Sequence, residues 1–137
     1  MHPPSSLASA STLGIPLQAR TVLVVEDEPL LRDLIASELA EAGFLVIEAG
    51  TAEEGRDVLG QRQVGALFTD IRLPGAMDGW QLAEEARALN PRLPVIYATG
   101  YSPETPRIVP GGVFLRKPYL PSRVIEALEQ LLDPSPD

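Results

Sequence analysis

The sequence predicts a doubly wound α/β domain, a parallel sheet with helices on both faces. Five short apolar runs recur along the chain: Val22–Val25, Phe44–Ile47, Ala66–Phe68, Val95–Tyr97 and Val113–Leu115. They are continuous rather than alternating, which suits strands buried on both faces. Amphipathic segments separate most of them, and repeated strand–helix alternation gives parallel strands joined by right-handed crossovers.

The elements follow in order. After the first run, Leu31, Leu34, Ile35, Leu39 and Ala42 recur at helical spacing, and Gly43 supplies a stop. Thr51 and Glu54 have the spacing of a capping box for a second helix ending near Leu59. Asp78 can cap a third helix carrying Leu82, Ala83, Ala86 and Leu89. Val124, Ile125, Leu128, Leu131 and Leu132 stripe a last helix. One link is abnormal. Gly100 to Gly112 holds Pro103, Pro106 and Pro110, which prevent a normal crossover helix. At most a short helical turn is expected there, and this stretch is expected to be the mobile element.

With 137 residues the chain fits one domain, and a 45% hydrophobic fraction suffices for a core. Residues 1–19 are rich in Ser, Pro and Ala and read as a flexible tail; residues 20–132 form the folded domain, and 133–137, with Pro134 and Pro136, a second tail. No internal repeat is present. Cysteine is absent and the single histidine is His2, so thiolate sites and histidine catalysis lack material. A net charge of -8 argues against direct nucleic-acid binding. No apolar run approaches the roughly 20 residues that span a bilayer. The N-terminus lacks the pattern of a secretory signal, so the expected location is the cytoplasm.

Ligands of open parallel sheets bind beyond the carboxyl ends of the strands. The first strand runs into Glu26-Asp27, the third ends at Asp70, the fourth at Thr99 and the fifth at Lys117-Pro118. Folding brings three carboxylates, one hydroxyl and one ammonium to one edge. Clustered carboxylates repel, and Mg2+, which prefers oxygen ligands and accepts phosphate oxygens, is the simplest counter-charge. An aspartate can act as nucleophile toward phosphorus, while Lys117 and Thr99 contact phosphate oxygens. Taken singly, each residue has an ordinary explanation: Glu26-Asp27 before Pro29 is a capping signal, Asp70 and Thr99 are turn residues, and Lys117 is a solvated charge. Their joint placement at strand ends favours chemistry.

At these residues the chain resembles the receiver domains of bacterial response regulators, of which the chemotaxis receiver is a familiar small example. The matching pieces are Val22 through Pro29, Thr69-Asp70-Ile71-Arg72-Leu73-Pro74, Met77-Asp78-Gly79, Ala98-Thr99-Gly100 and Lys117-Pro118. The resemblance implies a flavodoxin-like sheet of order 2-1-3-4-5. It implies that Asp70 is the phosphoacceptor, that Asp27 ligates Mg2+ directly and Glu26 through water, and that the Arg72 main-chain carbonyl is a further ligand. Thr99 and Lys117 match the phosphate-contacting pair. Lys117-Pro118 matches a cis peptide, and Phe114 an aromatic switch whose ring turns inward when phosphate draws the threonine. Three departures stand out. Gly75-Ala76-Met77-Asp78 adds one residue after Pro74, so the loop beside Asp70 should bulge. Thr99 and Lys117 are 18 positions apart, fewer than usual. Tyr97-Ala98-Thr99-Gly100-Tyr101 resembles an atypical subgroup with a Phe-Ala-Thr-Gly-Tyr-like stretch and a shortened or absent fourth helix. Tyr101, at the mouth of the site, is expected to tune the lifetime of the phosphorylated state by shielding it from water.

The expected function is that of a stand-alone receiver. It takes a phosphoryl group from a sensor histidine kinase or a histidine phosphotransfer protein, and it signals by binding a protein target or serves as a relay or sink. It is a signalling domain rather than an enzyme, with at most weak self-dephosphorylation. A degenerate receiver that binds without phosphorylation is the main competitor. A haloacid-dehalogenase-like phosphatase requires an Asp two positions after the nucleophile, where Arg72 stands. A flavodoxin-like cofactor binder requires a phosphate loop where Glu26-Asp27-Glu28 stand, whose charge repels phosphate.

Overall fold

The structure, a computed structural model, describes residues 18–100 and 106–132. Tyr101 and most of the two expected tails lie outside the described residues. A short 3-10 turn, Gln18–Arg20, leads into β1 (Thr21–Val25), α1 (Pro29–Glu41), β2 (Leu45–Ala49), α2 (Ala52–Gln61), β3 (Ala66–Asp70), α3 (Gly79–Leu89), β4 (Val95–Thr99), β5 (Val113–Arg116) and α4 (Pro121–Leu132). All strand pairs are parallel and the order is β2-β1-β3-β4-β5, as expected. The chain turns to opposite sides of β1 on its way to β2 and β3, which opens a crevice at the carboxyl ends of β1 and β3.

Strands β1, β3 and β4 are buried along their whole length. Their alternation splits the core. Leu23, Val25, Leu67, Val95 and Tyr97 pack under α2 and α3, against Ala52, Trp80, Leu82 and Ala86. Val22, Val24, Phe68 and Ile96 pack under α1 and α4, against Ile35, Leu39, Val124 and Leu128. Each fully buried Leu or Ile contributes about 1.5–3 kcal/mol. The edge strands β2 and β5 depart from the expected two-sided burial: Leu45 is 48% exposed and Arg116 faces solvent. Leu34, expected on the core stripe of α1, is 47% exposed.

The helix ends follow the predicted chemistry with one change. Pro29 opens α1, and Gly43 leaves it at a φ of 100°. Thr51 accepts from the Glu54 amide at 3.0 Å, but the Glu54 carboxylate reaches one residue further back, to the Gly50 amide at 2.7 Å. Asp78 and Gln81 form a full capping box on α3.

Between β4 and β5, residues 106–112 contain no helix. Residues 101–105 of the expected mobile stretch lie outside the described residues, and the remainder makes two contacts with the domain. Val109 is buried, and its amide donates to the Tyr97 hydroxyl at 3.0 Å. Arg107 forks onto Glu84 of α3 at 2.7 and 3.2 Å. Two tethers thus hold the strap of residues 106–112 against the domain. No described helix is long and apolar enough to cross a membrane.

Candidate functional site

The site forms where the polar residues leave the strands. The Glu26 amide donates to the Ala49 carbonyl at 3.1 Å, so the sheet ladder holds this residue one step beyond β1. Its side chain is 1% exposed and accepts from the Glu28 amide at 3.1 Å. Arg32 of α1 donates to the Glu26 carbonyl at 2.7 Å and pairs with Glu48 of β2 at 3.4 Å, which fixes the turn. Asp27 is exposed at the mouth.

Asp70 ends β3 and is 6% exposed. The Thr69 hydroxyl donates to its carbonyl at 2.8 Å, and the Arg72 amide donates to Oδ1 at 3.3 Å. Gly79 opens α3 directly against this backbone: a Cβ there would sit 2.1 Å from the Asp70 carbonyl oxygen. Only glycine permits that approach.

Lys117 completes the group. Its amide donates to the Thr99 carbonyl at 2.9 Å, which holds it past the end of β5. Its ammonium lies 2.8 Å from Asp70 Oδ2 and 3.1 Å from Glu26 Oε1. The Lys117–Pro118 peptide is cis, as expected. Burial works against the charged ammonium, but the hydrogen bonds to Asp70 and Glu26 outweigh it and raise its pKa. Lys117 is therefore a fixed cation. Burial pushes the Glu26 carboxyl above its ordinary range; the Glu28 amide opposes this, the Asp70 charge adds to it, and Lys117 pulls it back.

Carboxylate oxygens of Glu26, Asp27 and Asp70 lie within 4.8 Å of one another. At that separation, each pair of like charges repels by about 3.5 kcal/mol at an effective dielectric of 20. One ammonium balances only part of this. The donor set fits Mg2+: it is all oxygen, two of its carboxylates are buried and the third is open to water and to an incoming phosphate.

The structure thus brings Glu26, Asp27, Asp70 and Lys117 together. Thr99 is buried one step past Ala98, the β4 partner of Asp70, and so flanks the same edge. Arg72 reaches Asp70 through its amide. Phe114 is half-buried, packs on the α2–α3 side of the core and is registered with Tyr97. Sequence reasoning missed Arg32 and Glu53. Glu53 Oε2 accepts from the Ala76 and Met77 amides, both at 3.1 Å, across the loop that follows Asp70. The sequence signal at Glu53 was only an acidic residue in a first helical turn.

Comparison with known proteins agrees with this geometry. The family profile of the response regulator receiver domain matches residues 22–129. The transcriptional regulatory protein GlrR of Escherichia coli K12 is 32% identical over 118 residues, 83% of this chain and 26% of GlrR. The chain thus spans about a quarter of that relative. A response regulator receiver protein from Sinorhizobium medicae superposes with a TM-score of 0.77 at 31% identity, covering 87% of this chain and 98% of that one. The response regulator TrrA of Thermotoga maritima, solved in complex with Mg2+–BeF, gives 0.73 at 27% identity over 82% of this chain and 98% of TrrA.

Proposed function

This chain belongs to the response regulator receiver domain family, and on that premise we propose that it accepts a phosphoryl group on Asp70 and signals by changing which protein it binds. Receiver domains take their phosphoryl group from histidine kinases, so the donor is a sensor histidine kinase or a histidine phosphotransfer protein. A carboxylate oxygen of Asp70 attacks phosphorus, the phosphorus–nitrogen bond of the donor breaks, and the leaving imidazole takes up a proton. Lys117, already against Asp70, pairs with an oxygen of the arriving group, and the Thr99 hydroxyl donates to another. Asp27, Asp70, the Arg72 carbonyl and, through water, Glu26 would hold Mg2+, which would supply positive charge against that developing on the transferring group. Phe114, beside Tyr97 in the sheet, is the switch that follows Thr99.

The observation that carries this reading is the Lys117 ammonium bridging two buried carboxylates within the oxygen cluster. A degenerate receiver has no need of that assembly. The similarity to TrrA, which binds Mg2+–BeF, supports the metal and the phosphoryl site together. Phosphoryl transfer from a histidine kinase and the net charge of -8 support a reading in which the protein acts in the cytoplasm as a relay, a sink or a regulator of a protein target rather than on nucleic acid. Residues 20–132 are the receiver unit.

Incubation with acetyl phosphate and Mg2+, followed by intact mass measurement, tests the proposal. One phosphoryl mass is expected on the wild type and none on Asp70→Asn. Equal labelling of both proteins would remove Asp70 from its role.

A further inference from the structure

We infer that Glu53, on the first turn of α2, is a positioning residue for the phosphoacceptor site: its carboxylate clamps the β3–α3 loop and so presets the backbone beside Asp70 for Mg2+. The inference rests on the proposed role of Asp70.

The loop, residues 71–78, is closed at its base. The Ile71 amide donates to the Ala98 carbonyl at 3.1 Å, and the Gly79 amide donates to the Ile71 carbonyl at 2.8 Å. At its far side two consecutive amides, Ala76 and Met77, converge on the single oxygen Glu53 Oε2. Two donors on one ionised acceptor form a strong, directional clamp. The Met77 side chain is buried beneath it, which keeps the loop seated.

Gly75 fits the same arrangement. Its φ of 100° is left-handed, and a Cβ on it would stand 2.9 Å from Glu53 Oε1. The chain therefore turns directly over the carboxylate, within the stretch Gly75-Ala76-Met77-Asp78 that carries one residue more than the family pattern. Glu53 sits near the amino end of α2, where the helix favours a negative charge. Between the closed base and the clamp lies Arg72, whose amide meets Asp70 Oδ1 at 3.3 Å. Releasing the clamp lets residues 72–75 move relative to Asp70, and with them the backbone that faces the metal.

The test compares Glu53→Ala with Glu53→Gln in the full chain. The glutamine amide oxygen still accepts both backbone hydrogens but carries no charge. Calorimetric titration with Mg2+ gives the affinity, and hydrogen exchange of the Ala76 and Met77 amides in metal-free protein reads the clamp itself. Glu53→Ala should weaken Mg2+ binding roughly ten-fold and speed exchange at both amides by a similar factor. Glu53→Gln should restore most of both. Wild-type Mg2+ affinity in Glu53→Ala overturns the inference, even if the melting temperature falls, because Glu53 then only stabilises the fold. Equal weakening in both variants also overturns it, because the effect is then one of charge at a distance. A wild-type protein that binds no Mg2+ refutes the Asp70 reading instead, and it does so before any variant is compared.

Discussion

Replacing Lys117 with methionine, similar in length but uncharged, isolates the charge balance of the site. The ammonium contacts Asp70 at 2.8 Å and Glu26 at 3.1 Å. At an effective dielectric of 20 each contact is a gross attraction of about 5–6 kcal/mol, much of it offset by desolvation. Breaking a buried pair costs about 3–5 kcal/mol, because the orphaned charge stays buried. The lysine side chain is 20% exposed, which screens part of the attraction. The expected loss is therefore at the low end, about 3 kcal/mol in metal-free protein, or roughly 12 °C in melting temperature for a domain of this size. Glu26, which burial already holds above the ordinary carboxylate range, takes up a proton more readily once the ammonium is gone. A carboxyl with a raised folded-state pKa stabilises the fold while protonated and loses that contribution as pH rises through the folded value. The deficit of Lys117→Met should thus widen from about pH 5 to about pH 8. Urea denaturation in EDTA at the two pH values measures it. A loss under about 1 kcal/mol at the higher pH would mean that solvent screens the pair and that the charge argument is wrong.

Three further outcomes follow from the same geometry. Mg2+ should raise the melting temperature of the wild type, and Asp27→Ala should remove most of that shift; an unchanged shift would place the ion elsewhere. Gly79→Ala forces a Cβ against the Asp70 carbonyl and should destabilise by about 1–3 kcal/mol while slowing acetyl phosphate labelling. Wild-type melting and labelling would show that α3 can back away without cost. Tyr97→Phe leaves the Val109 amide without its hydroxyl partner and should cost about 1–3 kcal/mol, seen as faster exchange at Val109. Unchanged exchange there would mean that the Arg107–Glu84 pair alone holds the strap.

The central strands were legible because burial on both faces leaves a continuous apolar run, as in Val22–Val25 and Ala66–Phe68. The run at β2 was misplaced by a residue or two: Phe44 belongs to the approach and Glu48 to the strand, where it meets Arg32 at the exposed edge. Asp78 announced its helix because capping is local chemistry. The cluster of Glu26, Asp27, Asp70 and Lys117 was legible for a different reason. A parallel sheet aligns the carboxyl ends of its strands, so residues far apart in sequence become neighbours once strand ends are known. Contacts that need a particular side chain to cross between elements were invisible. Glu53 reaches a loop 23 residues away, and the Tyr97 hydroxyl accepts from the Val109 amide of the strap. Arg20 looked like a boundary residue, yet it is 1% exposed, donates to the Gly43 carbonyl and lies over the Phe44 ring at 5.1 Å.

The central claim is that Asp70, among three clustered carboxylates, is the one that takes the phosphoryl group. The most direct measurement is the identity of the labelled residue in the wild-type protein. Borohydride reduces an aspartyl phosphate to homoserine, which peptide mass mapping locates. Treatment with acetyl phosphate and Mg2+ should place homoserine at position 70 and nowhere else, with no conversion when EDTA replaces Mg2+. Homoserine at position 27, a reduced product at Glu26, or no conversion at all would contradict the account.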